Sequence, residues 1–389
     1  MLPRYNRFES LPAEVAESIV QWVVAEYDSH SCEFYIQGPR KRRLMRMSLT
    51  CKILAGISLR LLWETIFDGD FKLEIFKSLL KSLPPNVKQN LGIHELLPEN
   101  PYVPYSEYVR SVSLEKLFYY IEEWLEQAPQ SSSITNTPDT QRRIVCAIFK
   151  QFKINGRPLE KLRSVGFHEN PNYCVILDPY YLSWIAQINI LVIRGSYDIT
   201  PLVSRLAERC TTISKIVFSF YYFGQTPFTR SMSSALKLIQ AQTKLQSLIW
   251  NGIHGKQRID GNPDSDEDVV ENVEIGEDSD ILGNDPTEIL SVLPAHARTL
   301  TYLRMANMDF KKVQSLEDLA ACRNLETIAF IHCKNITEEA IQPMMDQTFA
   351  KLKLVELSYC TNFDAMEKFA QMRGVLHKKW NRDIMTLWT

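Results

Sequence analysis

Apolar residues along the chain follow two periodicities, and the change between them falls near residue 108. Before it they recur at helical steps of three and four. Leu11, Val15, Ile19, Trp22 and Val23 form one stripe, with Ser10 as N-cap, Pro12 in the first turn and Glu14 and Glu17 near the positive helix end. Leu44, Met47, Cys51 and Leu54 form a second stripe behind the basic run at 40–43, and a third apolar segment covers 57–67. Three short amphipathic helices over residues 1–70 leave a marginal core, so a partner helix or the following domain is expected to cover them. Residues 71–107 read as a helical linker.

From residue 108 onward the recurring unit is a Leu-x-x-Leu-x-Leu hexamer, a short strand with alternate residues turned inward. Copies start at Leu300, Leu325 and Leu352, and the last two share a Cys-x-Asn-apolar or Cys-x-Asn-Phe corner at Cys333 and Cys360. Weaker copies start at Leu162, Ile188, Ile213 and Leu245, with an outlier at Val109. Helical segments lie between them at 199–209, 233–239 and 337–341, the last capped by Thr337. The expected fold is α/β: one strand and one helix per repeat, stacked as an irregular solenoid over 108–389 with strands on the concave side. An ordinary parallel α/β domain is the alternative. It calls for long apolar runs and a Gly-rich first turn, and neither is present.

Charge changes the picture in one place. The formal net charge is −2, which argues against nucleic-acid or anionic-membrane binding. Residues 259–285, however, carry eleven Asp or Glu and no Lys or Arg, and a disordered insertion is expected there. It reads as a tolerated surface insertion, a recruiter of a basic substrate, or an intramolecular cover; Ser265 before Asp266-Glu267-Asp268 resembles an acidic-directed kinase site. The run lacks the central Gly of a calcium loop.

Candidate chemistry is sparse. Gly numbers only 14, and no phosphate-cradling or nucleophile-elbow motif occurs. The eight Cys form no C-x-x-C pair, so no metal or cofactor is expected. His332 and Cys333 are neighbours in a strand and point to opposite faces, which denies them a shared catalytic role. An enzyme is not expected. The first ten residues lack the apolar core of a signal peptide and no stretch is long enough to span a membrane, so a cytoplasmic or nuclear location is expected.

The N-terminal residues resemble a known family. Leu11-Pro12-x-Glu14-Val15, then Leu44-x-x-x-Ser48-Leu49-Thr50-Cys51-Lys52, then Leu61-Leu62-Trp63-x-x-Ile66 are similar to an F-box, and the hexamers resemble leucine-rich repeats. The resemblance implies a substrate-recognition subunit of a Skp–cullin–F-box ubiquitin ligase. It also implies that Leu11, Pro12, Val15, Ile19, Leu49, Cys51, Lys52 and Leu54 contact a Skp-type adaptor or shape its surface, while Trp63 and Ile66 close the module. A protein substrate would then meet Trp250, Tyr302, Arg304, Asn307, His332, Lys334 and Tyr359, on concave strand positions and the loops after them. A repeat scaffold that binds partners without any ligase is the alternative.

Overall fold

The computed structural model describes residues 15, 16, 18, 20, 44, 46, 47, 52–64, 67, 73–97, 105–129, 134–154, 159–166, 185–195, 200–221, 228–254, 285–361, 363–373 and 376–380. Helices and parallel strands mix throughout, and the chain divides into two compact units, one running to Arg163 and the other from Ser164 onward. No helix among the described residues is long and apolar enough to cross a membrane.

In the first unit, Val15, Ala16, Ser18 and Val20 are helical, as are Leu44, Arg46 and Met47, and helix α1 covers Lys52–Glu64. The three segments meet in one cluster of Ala16, Val20, Leu44 and Leu54, against which Met47, Ile57, Leu61 and Leu62 pack. Of the expected stripe in the first segment, only Val15 is among the described residues. Ala16 and Val20, one helical turn apart, face the cluster, while Val15 is 43% exposed.

Helices α2 (Leu73–Lys81) and α3 (Pro85–Leu91) follow, in the span read as a linker. Helix α3 ends at Gly92, whose φ of 72° is open to glycine at no steric cost. Lys88 is buried, and its ammonium donates to the carbonyls of Lys81 (3.3 Å) and Leu97 (3.2 Å). Burial, with help from Lys81, pulls its pKa below the ordinary lysine range.

Strand β1 (Ser111–Ser113), helices α4 (Leu114–Glu126) and α5 (Pro138–Ile154), and strand β2 (Lys161–Gly166) come next. Arg110 joins α1 to the strands: its side chain pairs with Glu64 (3.5 Å) and Glu160, and its carbonyl accepts from the amides of Glu160 (2.8 Å) and Lys161 (3.1 Å). Trp63 stacks on Tyr105 at 4.3 Å beside this link.

Those bonds set a register that corrects one sequence expectation. Val112 pairs with Leu162, so the repeat copy starts at Leu159, three residues before the position expected. Both frames offer apolar residues at the first and fourth positions, and Phe167 made the wrong one fit better at the sixth. Backbone pairing decides the frame, and Leu159 and Leu162 are both fully buried. The 50 residues from Val109 to Leu159 hold α4 and α5, and β1 and β2 pair directly with no strand between them.

In the second unit seven parallel strands lie in chain order: β3 (Ile190–Gly195), β4 (Lys215–Tyr221), β5 (Ser247–His254), β6 (Tyr302–Ala306), β7 (Thr327–Ile331), β8 (Leu354–Ser358) and β9 (Leu376–Trp380). A doubly wound sheet reverses its strand order at a switch point. Between β3 and β9 the order never reverses. Between the strands run α6 (Thr200–Arg209), α7 (Phe228–Gln240), α8 (Thr287–Val292), α9 (Glu317–Ala320), α10 (Glu338–Asp346) and α11 (Asp364–Met372). Each of these helices touches the next, which makes them one layer.

The hexamer positions explain the core. Its fourth residues, Leu191, Ile216, Leu248, Leu303, Ile328 and Val355, pair across all six strands, and its sixth residues, Ile193, Phe218, Trp250, Met305, Phe330 and Leu357, form the next rung. All twelve are buried. Strand β9 extends the sheet in register, with His377 beside Val355, although its sequence carries no hexamer. Strands β5 and β6 pair directly although their hexamers start 55 residues apart. Of the acidic span, only Asp285 is among the described residues; it accepts from the amide and hydroxyl of Thr287 as α8 begins.

Polar groups tie neighbouring strand–helix units together inside. The buried Gln242 side chain donates to the carbonyls of Cys210 (2.7 Å) and Leu238 (2.8 Å) and accepts from the Ile213 amide (2.9 Å). Thr337 caps α10 by accepting from the Ala340 amide at 3.1 Å. His296, 1% exposed in the turn after α8, is held below the ordinary histidine range by burial, with the Ile239 backbone opposing the shift.

Candidate interaction surface

Strand residues alternate between the helix-covered face and the opposite one. Tyr302 and Arg304 fall on the opposite face, in rungs that continue to Thr327 and Leu354 and to Ala329 and Glu356. Tyr302, Arg304, Thr327, Leu354 and Glu356 are all partly exposed there, while Ala329, between Arg304 and Glu356, is fully buried. Trp250 does not belong to this surface. As the sixth residue of its hexamer it points inward, is fully buried, and packs against Phe218 and Phe220 at 5.2 Å each. It was expected among the concave contact positions; its rung position makes it core.

A second group gathers where β6, β7 and β8 end. Asn307, His332 and Tyr359 each follow the last residue of their strand, and each has a left-handed backbone, with φ of 57°, 51° and 57°. Asn tolerates this region, but for His and Tyr it costs about 1–2 kcal/mol each. The turn sends the next side chain inward: Met308 and Cys333 are buried and Cys360 half-buried. Backbone pairing continues past the strands, from the Asn307 amide to the Ile331 carbonyl (2.9 Å) and from the His332 amide to that of Ser358 (2.8 Å). The His332 and Tyr359 rings stack at 4.7 Å, only 5° from parallel.

Asp309 organises the charges below that row. Its carboxylate accepts from Asn335 Nδ2 (2.8 Å) and the Lys311 amide (3.0 Å), and the Lys334 ammonium stands 3.4 Å away. Burial opposes its charge, but these bonds and Lys334 outweigh it and hold the carboxyl below its ordinary range. Lys311, Lys312 and Lys334 are exposed around this single Asp, so the rim carries a local positive excess. Sequence reasoning named Lys334 and passed over Asp309 and Asn335. The legible signal was an Asp two residues before a lysine at a strand exit, the spacing of an Asx turn.

The residues expected to serve an adaptor divide differently. Leu11, Pro12, Ile19, Leu49 and Cys51 lie outside the described residues, and Lys52 is described only as the first residue of α1. Val15 is exposed. Leu54, at 5% exposure, is part of the cluster with Ala16, Val20 and Leu44, where it can shape the module rather than touch a partner, because α1 turns Leu54, Ile57 and Leu61 to one side.

The structure therefore joins Asn307, His332, Lys334 and Tyr359 on one rim, places Tyr302 and Arg304 on the adjoining sheet face, and removes Trp250 and Leu54 to the core. No protein-family model matches the chain, and no curated protein resembles it closely enough to count as a relative.

Proposed function

We propose that the chain is a substrate-recognition adaptor of a Skp–cullin–F-box ubiquitin ligase, without catalytic chemistry of its own. In this reading the N-terminal helices are an F-box that binds a Skp-type adaptor and through it a cullin. The strand–helix units are leucine-rich repeats, and their open sheet face with the Asn307–His332–Tyr359 rim holds a protein substrate.

The observation that carries the reading is the three-segment cluster at Ala16, Val20, Leu44 and Leu54, with Val15 left outside it. A module that buries one stripe and exposes an aliphatic side chain from the same helix is suited to a helical partner. Leu11 and Ile19 share the helical spacing of Val15 in the sequence. On the substrate side, support comes from rings held in a strained backbone at a strand exit, where strain accompanies function.

Co-purification with a Skp-type adaptor tests the reading. Wild type should form a one-to-one complex and Val15→Glu should lose it while keeping its melting temperature, because Val15 is outside the core. A folded wild type that binds no adaptor would leave the chain as a repeat scaffold with no ligase role.

A further inference from the structure

Cys333 and Cys360 occupy equivalent corners of consecutive repeats, directly behind the stacked His332 and Tyr359. Neither is in a disulfide. The Thr361 amide donates to the Cys333 carbonyl at 3.1 Å, and Lys334 and Thr361 pair in parallel register. Neighbouring backbones in such a register stand about 4.8 Å apart, inside the roughly 4.4–6.8 Å window between Cα atoms that a disulfide requires. Like Cys210 and Cys322, both thiols lie against backbone carbonyls, Cys333 Sγ donating to Met305 (3.4 Å) and Ile331 (3.5 Å) and Cys360 Sγ to Phe330 (3.3 Å) and Ser358 (3.5 Å). The in-register placement on neighbouring backbones sets this pair apart.

We propose that Cys333 and Cys360 form an oxidation site that takes a hydroperoxide and closes to a disulfide. Cys360 is half-buried and meets the oxidant; Cys333 is buried behind it and resolves the product. The Cys360 thiolate attacks a peroxide oxygen, the O–O bond breaks, and the sulfur becomes a sulfenic acid as hydroxide leaves and takes up the thiol's proton. The Cys333 sulfur then attacks the sulfenic sulfur. An S–S bond forms, the S–O bond breaks, and the Cys333 proton leaves with the hydroxyl as water. Two thiols lose two electrons and two protons, and hydrogen peroxide becomes two waters. Burial pushes the Cys333 thiol up, and Cys360, the more accessible of the two, is the sulfur a trapping reagent reaches. The bond ties the two corners together directly beneath the His332–Tyr359 stack, which makes the rim's geometry depend on oxidation.

The experiment treats the reduced full-length chain with hydrogen peroxide, then alkylates it under denaturing conditions and maps its peptides by mass spectrometry. Cys333 and Cys360 should lose alkylation together and appear in one cross-linked peptide pair. A 1,3-diketone present during oxidation should label Cys360 and lower the cross-link yield. Cys333→Ser should raise the diketone label at Cys360 and abolish the cross-link. The proposal is overturned if Cys360 proceeds to sulfinic acid while Cys333 stays alkylatable, or if both thiols survive peroxide unchanged. Wild-type mapping alone separates these results, so the test does not depend on how the variant folds.

Discussion

The strands from β6 to β8 and the pair β1–β2 are built from the same hexamer, yet they are held in place by different means. From β6 to β8 each strand exit repeats one solution, a left-handed residue followed by an inward side chain, and Thr337 caps α10, the helix after the second corner. Around β1 and β2 nothing repeats. The register there is set by the Glu160 and Lys161 amides bonding to the Arg110 carbonyl, while the Arg110 side chain reaches Glu64 and Glu160 and Trp63 stacks against Tyr105. Recurrence lets one local rule stabilise several places, whereas the first unit depends on single contacts between residues distant in sequence.

The largest expected effect lies in the repeating region. Phe330 sits on the inner rung and meets Phe310 at 5.4 Å and Phe363 at 5.5 Å. Phe330→Ala should lower stability by about 3–5 kcal/mol in denaturant unfolding. A loss below about 1 kcal/mol would mean that the rung is not the core it is taken for. Next comes the one-off region, where Arg110→Ala removes two partly screened ion pairs and leaves Glu64 with Arg60 at 3.6 Å. A loss of about 1–2 kcal/mol is expected, with faster amide exchange in α1 than elsewhere in the chain. Uniform exchange would break the contrast between the regions.

A pH titration sharpens the comparison within the repeats. The folded state keeps His296 neutral below its ordinary pKa, so between that lowered value and about 6.5 the unfolded chain binds more protons. Stability should be fully present above that window and fall as pH drops through it, by at most about 1.4 kcal/mol per pH unit for this one group. His296→Leu should flatten that part of the profile, and an unchanged slope would assign the dependence elsewhere. The smallest effect is a gain. Gly56 lies inside α1 with open space where a Cβ would stand, so Gly56→Ala should add about 0.5–1 kcal/mol to stability.

Legibility in the sequence follows the same division. The inner rungs could be read because Leu303, Ile328 and Val355 recur at nearly constant spacing and meet in register. The row of Asn307, His332 and Tyr359 could be named for the same reason, each being the second residue past a hexamer. Trp250 was misassigned to the concave contact positions, although the sixth place of its hexamer turns inward. At β2 the frame slipped by three residues because Leu162 fits the hexamer as its first or its fourth residue, and only the bonds from Arg110 distinguish the two. Leu54 was legible from its helical spacing, since it shares an apolar stripe with Leu44 and Met47, and all three meet in the cluster. Strand β9 lay beyond the pattern altogether: with His377 and Lys379 at the rung positions, its place comes from the open edge of β8 rather than from its own composition.

The direct pairing of β5 with β6 has a consequence for how the chain reaches its native state. Most neighbouring strands of the second unit find each other across 25–32 residues, but this pair must close 55. Treated as a free chain, the longer connection costs only about 0.7 kcal/mol more than a 25-residue one. The thermodynamic cost is therefore small, and the kinetic one is larger, because long-range closure slows assembly. Strands β3–β5 and β6–β9 are each low in contact order and can zip independently, so the junction between them should be the last seam to close and the first to open under force.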